Sequence, residues 1–261
     1  MKLVFLGAGS AMTVGTDNYH SNMLFITETK ETLMIDCGSD ARHSLYKQHL
    51  TYGDIDNVYI SHLHADHAGG LEWLALSRKF DTSYKKKPNL YISETLVQDI
   101  WNFTLAGGLS TLQNEIAQLD TFFDVHSIPI NGLFSWQDCE FNTVQTVHVI
   151  NGFSLMKSFG LFCKVRGLKV FITTDTQFLP HQMTSFYEAA DVIFHDCETA
   201  SIPSGVHAHY DQLKSLPEKY KKKMWLYHYN PGVLPDPKAD DFRGFVLCGQ
   251  AFDFKNPDSF S

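Results

Sequence analysis

The sequence predicts an α/β protein, because short apolar runs alternate with turn residues and helical patterns along most of the chain. The first predicted strand covers residues 3–6 and ends in a glycine-containing turn. A helical pattern over residues 68–79 directly follows a histidine-rich loop. A length of 261 residues and a hydrophobic content of 44% suffice for one core, so we expect a single domain over residues 1–261.

The same patterns predict further elements in both halves of the chain. In the first half, the predicted strands are residues 22–26, 32–35 and 58–60. In the second half they are residues 141–149, 161–165, 169–173, 192–195 and 224–227, with two more between residues 242 and 254. A short helix is expected near residues 211–216. Residues 95–125 read as a helical excursion from the core, broken at Gly107 and Gly108.

The charge balance favours a small substrate over a long nucleic acid. Twenty-one Lys and Arg against twenty-nine Asp and Glu give a net charge of −8, which repels a polyanion. Lysine runs at residues 85–87 and 221–223 are interpreted as solvated turns or helix ends. Bound cations dominate their local field, so the global charge does not exclude a phosphate ester.

Cysteine usage and hydropathy indicate a cytoplasmic protein. The five cysteines are odd in number, far apart and never spaced as Cys-x-x-Cys, so we expect reduced thiols. No apolar stretch reaches eighteen residues, and no cleavable apolar segment follows Met1-Lys2. Neither membrane spanning nor export is therefore expected.

One heptapeptide carries most of the chemical information, namely Ser61-His62-Leu63-His64-Ala65-Asp66-His67. A loop can turn His62 and His64 toward one point, and Asp66 and His67 toward a second point nearby. Two adjacent metal ions require such an arrangement. Neutral imidazole and carboxylate together suit zinc, manganese or iron.

Three more candidate ligands stand where predicted strands end, namely His148, Asp175 and His228. Strand ends converge at one rim of a layered α/β protein, so ligands far apart in sequence can meet there. Asp175 has two carboxylate oxygens and can bridge two metal ions, which an imidazole cannot do at this geometry. The sequence therefore predicts two metal sites built from seven side chains.

This pattern, His-x-His-x-Asp-His followed by a histidine, an aspartate and a histidine at strand ends, resembles the metallo-β-lactamase superfamily. The resemblance implies an αββα sandwich, with two mixed β-sheets flanked by helices. It also implies two divalent metal ions, with Zn²⁺ preferred and Mn²⁺ as the alternative. One ion would be held by His62, His64 and His148 and the other by Asp66, His67 and His228, with Asp175 between them. Asp36 would support the metal loop without binding metal.

Residues 5–11 and 196–199 resemble the branch that contains transfer-RNA 3′-processing endonucleases and small phosphodiesterases. The resemblance implies cleavage of a phosphate ester, with Asp66 orienting the attacking water or taking its proton. In that branch, a histidine before the last metal ligand acts on the leaving group. Both His207 and His209 are candidates, and His207 is favoured because it stands twenty-one residues before His228.

Transfer-RNA processing is disfavoured, because those enzymes carry a long basic arm between the third histidine and the bridging aspartate. Only twenty-six residues separate His148 from Asp175, and two predicted strands already occupy them. The basic residues in this interval are Lys157, Lys164, Arg166 and Lys169. Basic residues supply most of the contacts to a long polyanion, and this interval has too few of them to bind one.

Three segments, residues 101–109, 119–125 and 225–229, resemble the anti-Pycsar family. That resemblance implies a phosphodiesterase of phage or bacterial origin that hydrolyses 3′,5′-cyclic mononucleotides (cCMP, cUMP, cAMP and cGMP) and counteracts antiviral signalling. It further implies a homodimer, in which residues 107–114 reach toward the partner's active site. The alternatives are a transfer-RNA 3′-processing endonuclease, a hydrolase of another small ester, and a protein that binds a cyclic nucleotide without cleaving it.

Overall fold

The computed structural model describes residues 1–260. In chain order, the strands are β1 Lys2–Phe5, β2 Met23–Ile26, β3 Thr32–Ile35, β4 Asn57–Ile60, β5 Asn89–Ser93, β6 Thr111–Leu112, β7 Glu115–Ile116, β8 Asp124–Ile128, β9 Leu133–Trp136, β10 Cys139–Ile150, β11 Leu155–Val165, β12 Leu168–Ile172, β13 Val192–Asp196, β14 Met224–Tyr227, β15 Gly244–Phe245 and β16 Ala251–Asp253. The α-helices are α1 Ala41–Lys47, α2 Ala65–Ala68, α3 Leu71–Phe80, α4 Val97–Asp99, α5 Ala106–Leu109, α6 Leu119–Phe122, α7 Pro180–Ala189, α8 Tyr210–Lys214 and α9 Glu218–Lys221. A π-helical turn, Ile100–Leu105, joins α4 to α5.

Two seven-stranded sheets form the centre of the molecule. Their strand orders are β16-β1-β2-β3-β4-β5-β8 and β9-β10-β11-β12-β13-β14-β15. Each sheet has three antiparallel pairings followed by three parallel pairings. The two sheets therefore repeat one pattern of pairings, although the sequence shows no repeat and β16 joins the first sheet from the far end of the chain.

The sheets pack face to face through aromatic side chains. Phe5 of β1 contacts Phe194 of β13 and Tyr227 of β14, with ring centroids 5.1 and 5.4 Å apart. Successive residues of the second sheet alternate between two layers, as strand geometry requires. Phe194 faces the layer between the sheets, whereas Ile193 packs in the outer layer with Met183 and with side chains of α8 and α9. Helices therefore cover the outer face, which gives the predicted αββα sandwich.

The sequence patterns placed most of the other strands within a few residues but missed five, β5 to β9. Strands β8 and β9 were not predicted, because each lies at the edge of a sheet and has a partly polar, exposed face. The expected break at Gly107 and Gly108 is wrong, since both glycines lie inside α5. The chain turns instead in the β6–β7 hairpin that follows. The organisation of the chain as one domain stays a prediction.

Within residues 1–260, no helix combines the length and the apolar character that crossing a bilayer would require. All five cysteines are free thiols, and four of them are buried. Burial raises the pKa of the Cys37 and Cys163 thiols, so both stay protonated near neutral pH.

Candidate metal centre

The strand ends of both sheets converge on one rim. Asp175, Asp196 and His228 stand at or just beyond the carboxyl ends of β12, β13 and β14, which are parallel neighbours. Asp36 and His62 follow β3 and β4 of the other sheet in the same way. Such ends are the usual position of a site in α/β proteins.

The loop after β4 separates the four ligand candidates of the heptapeptide. His64 directly precedes α2, whereas Asp66 and His67 lie inside that single helical turn. Gly38 packs against the backbone of this turn, and a Cβ at Gly38 would collide with the carbonyl oxygen of Asp66. The close approach of the two chain segments therefore requires glycine.

A β-bulge aims His148 into the site. The register of β10 against β11 shifts between Val147 and Val149, and bulges of this kind redirect a side chain. Nδ1 of His148 donates a hydrogen bond to the carbonyl oxygen of Val206 at 2.9 Å. Its Nε2 is thereby left available to a metal ion.

The first cluster joins His62, His64, His148 and Asp175. Nδ1 of His64 lies 3.2 Å from Nε2 of His62 and 3.0 Å from Nε2 of His148. Oδ2 of Asp175 lies 3.7 and 3.6 Å from these two Nε2 atoms. Ligand atoms around a tetrahedral zinc ion are separated by about 3.4 Å, so the cluster has the dimensions of a metal site.

The second cluster joins Asp66, His67, Asp175 and His228. Oδ2 of Asp66 lies 3.2 Å from Nε2 of His67 and 3.3 Å from Nε2 of His228. Oδ2 of Asp175 lies 3.3 and 3.4 Å from the same nitrogens. Asp175 is thus common to both clusters, at the position predicted for a bridging carboxylate.

Buried atoms without partners show that these residues fit a bound cation. Both carboxylate oxygens of Asp175 and Nε2 of His67 are buried and have no hydrogen-bond partner within residues 1–260. A buried carboxylate is costly unless it is paired or coordinates a metal. The donor set of imidazoles and carboxylates is the one that zinc and manganese accept.

The first cluster is electrostatically ready for a metal ion. Burial lowers the pKa of His62, His64 and His148, although Asp175 acts in the opposite direction. The three imidazoles are therefore neutral near pH 7, which is the form that binds metal.

The second cluster is more strongly charged. Burial opposes the protonation of His228, but Asp175 and neighbouring carboxylates raise its pKa to about 10. The carboxylates of Asp175, Asp66 and Asp36 likewise raise the pKa of His67, against the effect of its burial. Burial would raise the pKa of Asp175, but His228 and His67 hold it well below its usual range. Without metal, protons on the imidazoles balance the carboxylates.

Asp36 supports the metal loop without contacting either cluster's centre. Its Oδ1 accepts a hydrogen bond from the Ser61 N–H, and its Oδ2 accepts from the Ser61 hydroxyl, both at 2.8 Å. Oδ2 also lies 2.8 Å from Nδ1 of His67. This contact leaves Nε2 of His67 available to the second cluster.

The structure separates the two candidates for the leaving-group histidine. His207 lines the cavity above the clusters, with Nδ1 at 2.8 Å from Oδ2 of Asp196 and 3.8 Å from Oδ2 of Asp175. His209 instead caps α8, where its Nδ1 accepts the Asp211 N–H and its Nε2 donates to the carbonyl oxygen of Ala200. Both ring nitrogens of His209 are used locally, so the structure does not bring it to the site.

Asp196 is a site residue that the ligand prediction did not include. Burial would raise its pKa, but His207 outweighs that effect and lowers it. In turn Asp196 raises the pKa of His207, against the opposing effect of burial. Its second oxygen lies 3.4 Å from Nδ1 of His228. Its place at the end of β13, like that of the other strand-end ligands, was the signal available in the sequence.

A cavity of about 420 Å³ opens above the clusters. Its floor includes His64, Asp66, Asp175 and His228, and its walls include Ser10, Met12, Glu198, Ser204, Val206, His207 and Asn230. This volume falls within the range of small-molecule sites.

Solved structures share this fold at low sequence identity. The metallo-β-lactamase fold protein YhfI from Bacillus subtilis matches with a TM-score of 0.73 and 15% identity, over 96% of this chain and 98% of that chain. The short form of human tRNase Z matches with a TM-score of 0.69 and 19% identity, over 97% and 99%. The predicted fold is confirmed, and the chain is a protein of the metallo-β-lactamase fold whose histidine–aspartate clusters could hold metal ions.

Sequence comparison narrows this class to one family. The family model described as anti-Pycsar protein Apyc1 matches residues 1–252. An anti-Pycsar protein Apyc1 from Paenibacillus harenae is 35% identical over 235 residues, covering 89% of this chain and 91% of its own. Its counterpart from Bacillus phage vB_BsuM-Goe3 is 33% identical over 243 residues, covering 89% and 90%. The chain therefore belongs to the anti-Pycsar Apyc1 family.

Proposed function

We propose that this protein is a binuclear phosphodiesterase that hydrolyses 3′,5′-cyclic mononucleotides to nucleoside monophosphates and so counteracts cyclic-nucleotide signalling. The observation that carries the proposal is the pair of ligand clusters sharing Asp175, at the floor of a cavity that His207 also lines. Two adjacent metal sites can together hold the attacking and the leaving oxygen of a phosphoryl transfer. The relatives' name, anti-Pycsar, fits this substrate class.

The size and surroundings of the cavity support a small substrate. A volume of about 420 Å³ accommodates one mononucleotide. Between His148 and Asp175 the described chain forms only the end of β10, then β11 and β12, and no basic arm is inserted there. These features weigh against a transfer-RNA substrate.

The proposed roles follow from the geometry. Two divalent metal ions, held by the two clusters, would lower the pKa of water and neutralise the phosphoryl oxygens. Asp66 would accept the proton of the water that attacks phosphorus. The phosphorus–oxygen bond to the ribose then breaks, and Nε2 of His207 donates a proton to the departing oxygen. Asp196, at 2.8 Å from Nδ1 of His207, orients that imidazole.

The experiment is incubation of the metal-loaded protein with cyclic CMP, UMP, AMP and GMP, followed by chromatography of the products. Asp66→Ala and His207→Ala should each slow turnover by about 10² to 10⁴ fold, the usual contribution of acid–base groups. His209→Ala should lose less than about tenfold, because removal of a helix cap affects mainly stability. His181→Ala is the matched control, because His181 is exposed on α7.

A wild-type protein that converts none of the four nucleotides would contradict the proposal. Cleavage of bis-p-nitrophenyl phosphate alone would then indicate another phosphate ester. Salt-sensitive cleavage of precursor transfer RNA would indicate the endonuclease alternative. Hydrolysis of a lactone or thioester would indicate another small ester.

We further propose that the metal ions are zinc, with manganese as the alternative, because imidazole and carboxylate ligands accept both. Metal analysis of protein purified without added metal measures the identity and the stoichiometry. Two zinc ions per chain are expected, and one metal ion or none would contradict the binuclear assignment.

A homodimer in the cytoplasm is also proposed. The segment from α4 to α6 exposes the large apolar side chains of Phe103 and Ile116, which are 81% and 87% exposed. Contiguous exposed apolar patches commonly mark an interface, and these two side chains flank residues 107–114, which the resemblance directs toward a partner. Light scattering should give twice the chain mass, and a fully active monomer would refute a partner's contribution to the site.

A further inference from the structure

One wall of the cavity is built from three chain segments that are tied together by hydrogen bonds. Ser10 donates its N–H to the carbonyl oxygen of Tyr229 at 3.0 Å. Asn230, the next residue, accepts the Thr199 N–H through Oδ1 at 2.9 Å and donates its own N–H to the Thr199 hydroxyl at 3.0 Å. Glu198 directly precedes Thr199. The side chains of Ser10, Glu198 and Asn230 therefore line one continuous wall of the cavity.

Two of these side chains are buried with unused hydrogen-bonding capacity. Glu198 is 5% exposed, and within residues 1–260 its carboxylate accepts hydrogen bonds only from the N–H of Ser204, at 2.9 and 3.1 Å. An ionised carboxylate offers about four acceptor positions. Ser10 is 7% exposed, and its hydroxyl has no partner among the described residues. Buried polar groups ordinarily have a partner, so the unpartnered Ser10 hydroxyl, on the same wall as a carboxylate with free acceptor positions, points to a polar ligand in the cavity.

Glu198 and the proposed acid line the same cavity on chain segments that are paired through their backbones. Its N–H donates to the carbonyl oxygen of Ala208 at 2.9 Å, and Ala208 directly follows His207. None of the seven metal-ligand candidates hydrogen-bonds to the Glu198 carboxylate, and Glu198 belongs to neither cluster. This carboxylate is therefore placed to contact the part of the substrate that surrounds the leaving oxygen.

We propose that Glu198 accepts a hydrogen bond from the ribose 2′-hydroxyl and makes the protein selective for ribonucleotide over 2′-deoxyribonucleotide cyclic phosphates. This inference rests on the proposed phosphodiesterase function, with O3′ as the leaving oxygen that His207 protonates. The 2′ and 3′ oxygens stand on adjacent ribose carbons, so a group beside the acid meets the 2′-hydroxyl. The Ser10 hydroxyl adds a donor on the same wall. A site that recognises a substrate hydroxyl through a buried polar group discriminates against an analogue without that hydroxyl, because the polar group then loses its partner.

The test compares kcat/KM for 3′,5′-cyclic AMP and for 2′-deoxy-3′,5′-cyclic AMP with the zinc-loaded wild-type protein. Loss of a hydrogen bond to a charged group should lower kcat/KM for the deoxy substrate by about 10 to 100 fold. The product should be 5′-AMP, as departure of O3′ requires. Equal rates on both substrates, or a 3′-AMP product, would overturn the assignment.

Glu198→Ala should lower kcat/KM for cyclic AMP by the same factor and bring the ribose-to-deoxyribose ratio close to one. Glu198→Gln keeps one acceptor oxygen and should restore part of the preference. Glu140→Gln, an exposed substitution on β10, is the matched control and should keep the wild-type ratio. An unchanged ratio in Glu198→Ala would overturn the role of Glu198.

Bis-p-nitrophenyl phosphate has no ribose and reports on the metal centre alone. Its hydrolysis separates loss of ribose recognition from damage to the fold, and an equal loss on this ester and on cyclic AMP in Glu198→Ala would refute the assignment. A wild-type protein that cleaves this ester but neither cyclic nucleotide would refute the proposed function itself. A wild-type protein that cleaves both nucleotides equally would refute only the role of Glu198.

Discussion

The two ligand clusters share Asp175 but differ in charge. Besides Asp175, the first cluster contains three imidazoles whose pKa values are lowered by burial. It is therefore neutral apart from the shared carboxylate. The second adds Asp66, and its imidazoles hold protons when no metal is present. Metal binding must therefore displace protons at the second cluster, whereas the first cluster is already deprotonated. The same fold thus offers one metal site that binds without releasing protons, beside a second site whose metal binding requires proton release.

The clusters are alike in another respect, because each draws ligands from both halves of the chain. His62 and His64 from the first half meet His148 from the second. Asp66 and His67 from the first half meet His228 from the second. Neither half can complete a metal site alone, so metal binding should stabilise the packing of the two sheets.

Replacement of Asp175 should have the largest effect on turnover, because both clusters contain this residue. Asp175→Ala is expected to lower turnover by at least about a thousandfold, since metal ions supply several kcal/mol of charge stabilisation. Metal analysis should show loss of ions from both clusters. Asp138→Asn, an exposed substitution, is the control. An Asp175→Ala protein that keeps two tightly bound ions would refute the bridging assignment.

Single substitutions should then separate the two clusters. His148→Ala removes a ligand of the first cluster only, and His228→Ala removes one of the second only. Each variant is expected to retain about one metal ion per chain and to lose about a hundredfold or more in turnover, because two-metal catalysis needs both positions. Metal analysis after dialysis measures the stoichiometry. If either variant retained two ions, the division into clusters would be wrong.

The pH dependence of metal affinity should show the charge difference directly. At the second cluster, His67 and His228 have raised pKa values, so protons occupy it near neutral pH and must leave. Affinity should therefore rise by about tenfold per pH unit for each proton displaced, between about pH 7 and about pH 8.5. His62 and its partners have lowered pKa values, so the first cluster should change little over this range.

Cobalt titrations at several pH values measure how the metal affinity of each cluster changes with pH, in two variants that each retain one cluster. His148→Ala retains the second cluster and should give the steep dependence, whereas His228→Ala retains the first and should give the flat one. Equal slopes would remove the distinction between the clusters.

The positions of the metal-ligand candidates were predictable because their chemistry is visible in the sequence. The heptapeptide concentrates three imidazoles and a carboxylate, and strand ends converge, so His148, Asp175 and His228 could be expected beside it from the sequence. The repeat of one sheet topology was not predictable, because strand pairing depends on contacts between distant segments. Strands β8 and β9 were missed because edge strands do not need an apolar pattern.

For two histidines that differ in their hydrogen-bond partners, the sequence favoured one by its spacing but kept both as candidates. His207 and His209 stand two positions apart, and both are histidines before a short helix. The local backbone turns one toward Asp196 and uses the other to cap α8. Glu198 lies in the segment 196–199 that carries a resemblance, but no role could be given to it, since its proposed role depends on a cavity that several distant segments form.

The smallest effects should come from residues that orient ligands, and these too should differ between the clusters. Asp36 holds Nδ1 of His67 at 2.8 Å, so Asp36→Asn should weaken metal binding at the second cluster by about 10 to 100 fold. Ser61 contacts Nδ1 of His62 at 3.0 Å through a neutral hydroxyl, so Ser61→Ala should weaken the first cluster by less than about tenfold. Competition with a chromophoric chelator measures the metal affinity of both variants. The Ser61 hydroxyl also donates a hydrogen bond to Asp36, so the two residues are coupled. The double variant should therefore lose less metal-binding free energy than the sum of the two single losses. Strictly additive losses would show that the two clusters are oriented independently.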